Sequence, residues 1–417
     1  METRLAGFVR GTPAGIEAGA ILRKCVHCGF CNATCPTYQL LGDELDGPRG
    51  RIYLMKMLLE GGRATRKTQL HLDRCLTCRN CETTCPSGVH YGRLLDLVRP
   101  IADRRAGRGL FDHLQRSLLA AVIPRRRLFA FLLRIGRRIR WLLPRALAAR
   151  IPAAATLRPP SASRRTQPRR FMLLLAGCVQ PSLAPDINIA AARVLDRLGI
   201  RLVEAPGAGC CGALRFHLGK HRAALRDMRR NIDAWWPQIE RGAEAVVVTA
   251  SGCGVSVKEY GHWLRDDPKY AARAARISQL ARDIGEVVAQ ERAALRELLK
   301  RVPLPEMKVA FQAPCTLQHG QKLPGLVEAL LGECGFHLTA VRDAHLCCGS
   351  AGTYSLLQPA LALTLRNQKL AALTAGGPQR ILTANIGCQV HLQTGTPLRV
   401  QHWIELLDQL LSGSVVV

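Results

Sequence analysis

The sequence has no long hydrophobic run. Nowhere in its 417 residues do about 18 apolar residues follow one another, so no membrane-spanning helix is expected. The opening METRLAGFVRGTPAGIEAGA lacks an apolar stretch and a small-residue cleavage site, which argues against a secretory leader. Acids are scarce: 31 Asp and Glu stand against 59 Lys and Arg, a formal net charge of +28. Such an excess calls for an acidic partner, a nucleic acid or an anionic membrane face. No nucleic-acid-binding motif accompanies the charge, so a nucleic-acid partner is not expected. No GxGxxG opens a helix after a strand, which speaks against a dinucleotide site. No Ser/His/Asp set and no pair of carboxylates stands out, so no catalytic residue is assigned.

Cysteine is what the chain has in plenty, 17 residues in all. Two runs share the ladder C-x2-C-x2-C-x3-C-P: Cys25, Cys28, Cys31 and Cys35 before Pro36, and Cys75, Cys78, Cys81 and Cys85 before Pro86. This is the spacing of two-cluster ferredoxins, in which three thiolates of one run and the fourth of the other hold each [4Fe–4S] cube. The two short gaps let three thiolates curl round one cube, and the longer step sends the fourth to its neighbour. The expected sets are Cys25, Cys28, Cys31 and Cys85 for one cluster, and Cys75, Cys78, Cys81 and Cys35 for the other. Structural zinc takes four ligands per site and does not need this repeated ladder. Without an export signal the thiols belong in a reducing compartment, where they serve metals rather than disulfides.

Between Arg99 and Arg170 the only acids are Asp103 and Asp112, and lysine is absent. Within this stretch, RRRLFAFLLRIGRRIRWLLPRALAAR (125–150) sets Arg134, Arg137, Arg138 and Arg140 opposite an apolar face of Phe131, Leu132, Ile135, Ile139 and Leu142. Such a basic amphipathic helix can lie in a membrane interface, fill a groove on a partner, or cover the protein's own core. The following residues, 151–170, are rich in Pro, Ala, Ser and Arg without periodicity and read as a linker.

Beyond it the cysteines form an internal repeat. Cys178, the pair Cys210-Cys211 and Cys253 recur as Cys315, the pair Cys347-Cys348 and Cys388, displaced by 137 residues for the first three and 135 for the last. A period held this closely is a duplication, and Cys334 alone stands outside it. Each copy alternates strand and helix: FMLLLAG, RLVEAP and AVVVTA in the first, KVAFQAP, HLTAV and RILTA in the second. Every cysteine of the repeat follows a predicted strand, on the sheet edge where parallel α/β folds gather ligands. The two expected metal sites are therefore Cys178, Cys210, Cys211 and Cys253, and Cys315, Cys347, Cys348 and Cys388. The second copy ends in C-x-x-H, so His391 is a further candidate ligand, and His319, four residues after Cys315, is another candidate ligand or a proton donor. The first copy has Ser256 where the second has His391. The fold expected is α/β with a small α-rich domain: 1–98 ferredoxin-like, 99–170 the Arg-rich helical segment and linker, 171–305 the first repeat and 306–417 the second.

These motifs, with the text around them, resemble one family. CVHCGFCNATCPTYQLLGDELDGPRGRIYL (25–54), HLDRCLTCRNCETTCPSGV (71–89), RNIDAWWP (230–237), TASGCG (249–254), PCTLQH (314–319), HLCCGSAGTYSL (345–356) and TANIGCQVHL (383–392) are similar to glycolate oxidase iron–sulfur subunits. More distantly the chain resembles the iron–sulfur subunits of lactate utilisation, anaerobic glycerol-3-phosphate dehydrogenase and heterodisulfide reductase. The resemblance implies two [4Fe–4S] clusters and a further iron–sulfur cluster or zinc in the CCG repeats. It implies FAD-binding partner subunits that oxidise glycolate to glyoxylate, and electrons passed on to a membrane quinone. The implied location is the cytoplasm, peripheral to the inner membrane. The absence of a dinucleotide motif agrees, since the substrate must then be oxidised on a partner that carries a flavin or similar cofactor. Two other readings are a stand-alone iron–sulfur reductase with thiol or disulfide chemistry in its CCG repeats, and a structural zinc protein.

Overall fold

A computed structural model of the protein describes residues 1–142 and 170–414. The linker expected at 151–170 lies outside the described residues except for Arg170, which opens a strand.

Helices alone build the N-terminal part. Pro13–Lys24 starts from Thr12, whose side chain accepts the Gly15 N–H, with proline in the first turn where its missing donor costs nothing. Pro36–Leu41 and Pro48–Leu59 also begin on prolines. Together with Arg66–Asp73 and Tyr91–Ala106 these helices enclose a core of Leu22, Met55, Leu58, Leu59, Leu72, Leu94, Leu95 and Val98. The short helices Phe30–Ala33 and Asn80–Thr84 fall inside the two cysteine ladders.

Among the described residues, two helices follow Tyr91–Ala106 in the arginine-rich stretch. Leu110–Val122 is fastened to the N-terminal body by an ion network in which Arg108 meets Asp73, Asp103 and Asp112, and Arg116 meets Asp73 and Asp112. Arg126–Arg138 follows and buries none of its residues. Its apolar face exists as expected, but it points outward: Phe131 is 55% exposed, and Leu132, Ile135, Ile139 and Leu142 are exposed too. Covering the protein's own core is therefore not what this face does among the described residues. Membrane and partner contact are the two expected roles that fit.

Each repeat forms a four-stranded, all-parallel sheet. In the first, β1 (Arg170–Leu175), β2 (Ile200–Val203), β3 (Val246–Val248) and β4 (Ala281–Asp283) lie in the order β2-β1-β3-β4. In the second, β5 (Lys308–Gln312), β6 (His337–Leu338), β7 (Arg380–Thr383) and β8 (Val400–His402) lie in the order β6-β5-β7-β8. Leu173 pairs with both Val203 and Val246, and Val309 with both Leu338 and Arg380, so β1 and β5 are interior strands. The helix Asp186–Arg197 buries Ile187, Ala190, Ala191, Val194 and Leu195, the i, i+3, i+4, i+7, i+8 stripe of a helix laid on a sheet. The sheets share one core, where Ile200 and Val247 join Val309, Phe311, Leu382 and Trp403. Main-chain and side-chain bonds also join them: the Ser251 N–H donates to Ala384 O at 3.2 Å, and His402 Nε2–H to Thr249 O at 2.9 Å.

Candidate metal centres

The two ladders fold alike because the backbone turns at matching positions. His27 and Thr77 follow the first cysteines by two residues and have φ of 57° and 52°; Gly29 and Arg79 follow by four and have φ of 85° and 60°. The left-handed region costs a non-glycine residue free energy that its surroundings must offset. At Gly29 the residue is glycine, which adopts this conformation without that cost. At Arg79 the offset is visible: its guanidinium forks onto Glu259 at 2.6 and 2.9 Å, mostly buried on both sides.

These turns bring the eight ladder cysteines to two cavities. Both are partly open; the first is lined by Cys25, Cys28, Cys31, Cys81 and Cys85 and the second by Cys35, Cys75, Cys78 and Cys81. Each cavity thus holds three cysteines of one ladder and the fourth of the other, with Cys81 on the wall between. No carboxylate lines either one, and beside the His27 ring in the first the metal-binding donors are the cysteine sulfurs, a set that fits thiolate-held iron–sulfur cubes. Burial pushes the Cys31 thiol up to about 11 and holds Cys78 and Cys81 well above the ordinary thiol range. A thiol so placed ionises readily only when a metal replaces its proton. Cys28 is exposed, whereas Cys81 and Cys348 are buried. In the metal-free chain, iodoacetamide is therefore expected to label Cys28 first and Cys81 and Cys348 last, as read by peptide mass spectrometry. Equal labelling rates would contradict this placement.

The duplicated cysteines form two rows. In the first, Cys210 contacts Cys178 and Cys211, and Cys211 contacts Cys253. In the second, Cys347 contacts Cys315, at 3.7 Å between sulfurs, and Cys348, which in turn contacts Cys388. The glycine after each pair is required: Gly212 and Gly349 have φ of 91° and 87°, and a Cβ would lie 3.0 Å from Ala224 O and 2.5 Å from Ala362 O. The position three residues beyond each final cysteine bonds to a main-chain carbonyl in or beside this turn. Ser256 Oγ donates to Cys211 O at 3.1 Å, and His391 Nε2–H donates to Ala362 O at 3.2 Å. Cys334 stands apart in the shared core, and burial pushes its thiol up to about 12.

The second row is joined to the second cavity. Leu76, Cys315, Cys347, Tyr354, Ala362 and Leu365 make one apolar cluster with Cys78 packed against it. Three contacts fix the helix Asn80–Thr84 on the repeats. Arg79 holds Glu259, Asn80 Nδ2 donates to His345 O at 3.5 Å, and the Thr83 hydroxyl donates to His319 Nδ1 at 3.0 Å. The other ring nitrogen of His319 donates to His345 O at 3.0 Å, so both nitrogens serve the interface. Sequence reasoning singled out His319 as a ligand or proton donor and missed Arg79, Glu259 and His345, whose roles depend on partners far along the chain.

Comparison with known proteins agrees with this division. Residues 21–89 match the model of a 4Fe-4S dicluster domain, and residues 172–258 and 309–393 each match that of a cysteine-rich domain. The chain is 53% identical over 414 residues to the glycolate oxidase iron-sulfur subunit of Escherichia coli (strain K12), covering 99% of both. It is 30% identical over 410 residues to the probable glycolate oxidase iron-sulfur subunit of Bacillus subtilis (strain 168), covering 91% of this chain and 90% of that one. To a fumarate reductase (CoM/CoB) subunit of Methanothermobacter marburgensis it is 22% identical over 424 residues, 99% of this chain and 77% of that one.

Proposed function

The chain belongs to the family of glycolate oxidase iron–sulfur subunits, and from that premise we propose that it takes electrons from an FAD on partner subunits, which oxidise glycolate to glyoxylate, and delivers them to a membrane quinone. It is an electron-transfer subunit of an oxidoreductase, and its residues hold and insulate redox groups rather than handle substrate. Cys25, Cys28, Cys31 and Cys85 would hold one [4Fe–4S] cluster, and Cys75, Cys78, Cys81 and Cys35 the other. When bound, such clusters supply one-electron redox chemistry.

The observation that carries this reading is the series of sulfur sites. The first cavity, where Cys28 is exposed, meets the second across Cys81, and the second meets the second row across Cys78. A flavin partner has access at the Cys28 end. Val26 and Phe30, 67% and 63% exposed, sit beside Cys28 there, and Tyr53 packs against His27. No helix among the described residues is long and apolar enough to cross a membrane. Contact with the inner face of the cytoplasmic membrane would therefore be peripheral, and the outward apolar face and arginines of Arg126–Arg138 suit an interfacial helix. The working units are taken as 1–98, 99–170, 171–305 and 306–417.

Reconstitution tests the division of labour. The anaerobically purified chain is expected to be brown and inert towards glycolate, and glycolate is expected to bleach its visible bands only after flavin-bearing subunits are added. Substantial glycolate oxidation by the isolated chain would refute the proposal.

A further inference from the structure

The chain has six tyrosines, and four of them are buried. Two of the four are ordinary core tyrosines. Tyr260 Oη donates to Cys211 O at 2.9 Å and accepts from Asn231 Nδ2 at 3.0 Å, and Tyr270 Oη donates to Asp233 Oδ2 at 2.8 Å. Tyr91 and Tyr354, 3% and 6% exposed, are different. Their hydroxyls are buried and meet no nitrogen or oxygen partner among the described residues. A phenol buried without a partner is less favourable than a phenylalanine of the same shape, so two such groups need a reason.

Both lie against the same sulfur. Tyr91 opens the helix Tyr91–Ala106 and lines both cavities, a position it shares only with Pro48 and Cys81. Burial and then Cys75 hold its phenol well above the usual range, and Cys75 is also the side chain its hydroxyl faces. Tyr354 comes to the same place from the second repeat. It packs with Leu76, Cys315 and Cys347 in the cluster on which Cys78 rests. After burial, Cys75 acts most strongly on its phenol, followed by Arg51 and Cys347. The Thr77 N–H already donates to Cys75 Sγ at 3.4 Å, so this sulfur has a main-chain donor and two phenols around it. The first cavity carries polar side chains of its own, His27, Arg49 and Ser87. The sulfurs that act most strongly on the two phenols are instead Cys75, Cys81 and Cys347, those of the second cavity and the second row.

We infer that the Tyr91 and Tyr354 hydroxyls are hydrogen-bond donors to the cluster proposed for Cys75, Cys78, Cys81 and Cys35, and that they set its reduction potential. A sulfur of such a cluster accepts hydrogen bonds, and accepts them more strongly as an added electron increases its negative charge. Donors fixed beside it therefore favour the reduced state and raise the potential. This rests on the electron-transfer reading above and deepens it. An electron passing from the Cys28 end to the second row crosses this cluster, and the two hydroxyls make the cluster readier to accept it.

The test is an EPR-monitored redox titration of the full chain purified without oxygen, for wild type, Y91F, Y354F and the double variant. Phenylalanine keeps each ring and its packing and removes only the donor. The variants should keep the wild-type content of about eight ladder-bound irons. One cluster signal should titrate at a lower potential in each single variant, and lower still in the double variant. In a C28S background, which loses the first cluster, the signal that remains should be the one that moves. Fluorotyrosine, a stronger donor of nearly the same size, should raise the same signal when it replaces all six tyrosines, and this decides the matter if a phenylalanine variant fails to fold. Unchanged potentials in the variants and with fluorotyrosine, or a shift confined to the signal that C28S removes, would overturn the inference and leave the electron-transfer reading intact. A wild-type chain without about eight irons would overturn that reading and the inference with it.

Discussion

Replacing Cys28 by serine should stop glycolate-driven quinone reduction by the assembled complex while leaving the partner's flavin reducible by glycolate. Cys28 lies in a surface loop, exposed at the first cavity. Its side chain is exposed and outside the apolar core, so the replacement disturbs the chain only through the cluster it would hold. A serine hydroxyl at neutral pH is a poor substitute for a thiolate on iron. The variant is therefore expected to fold, to lose about four of about eight ladder-bound irons, and to show flavin reduction at the wild-type rate with quinone reduction at background. The split between the two half-reactions is what identifies a break in the wire. Quinone reduction that survived loss of these irons would show that electrons leave the flavin by another route.

Some of this arrangement is legible in the sequence because it is encoded at short range. The ladders announce themselves by spacing, and crossed sharing of the fourth cysteine follows from the length of the last gap. The duplication is visible because its cysteines keep a nearly constant period. The central strands are equally plain, since buried parallel strands such as FMLLLAG and AVVVTA are nearly continuous apolar runs. Two strands escape this logic. β4 and β8 are three residues each, reading Ala-Arg-Asp and Val-Gln-His, and carry no apolar run; only pairing with β3 and β7 makes them strands. The helix expected over 125–150 has its described part at Arg126–Arg138 and then tightens into a short turn at Arg140–Leu142.

What sequence could not reveal are contacts between distant segments. Arg79 reads as one more arginine in a basic chain until Glu259, 180 residues on, is found against it. His319 sits at ligand-like spacing from Cys315, yet its partners are Thr83 and a backbone carbonyl. Lys369, whose Nζ donates to Asp343 O at 2.8 Å, had a local signal that went unused: a single lysine on a helix face that also buries Ala362, Leu365, Leu370 and Leu373. A charge in such a stripe must have a buried purpose or a buried partner.

Arg51 presents the same problem within the N-terminal body, and its removal should give the largest loss of stability. The side chain is 1% exposed. Its Nε donates to His71 O at 2.6 Å, its two Nη atoms donate to the Thr37 hydroxyl at 3.1 Å, and Nη2 lies 3.4 Å from Asp46 Oδ1. Nη1 also lies 3.9 Å from Cys35 Sγ, so a permanent positive charge faces a proposed ligand of the second cavity. R51M leaves Thr37, His71 O and fully buried Asp46 short of a donor. Breaking a buried pair costs roughly 3–5 kcal/mol, and the lower end is expected because Arg74 still holds Asp46 at 2.6 Å. The variant should also lower the reduction potential of one EPR signal and spare the other, since charge and hydrogen bonds near a ligand sulfur set that potential. R51K separates the two effects. Lysine keeps the charge but cannot reproduce the planar fork that reaches three partners at once. It should therefore recover much of the potential and little of the stability in an anaerobic guanidinium titration. A potential in R51K as low as in R51M would assign Arg51 to architecture alone, and an R51M chain as stable as wild type would refute the buried-pair account.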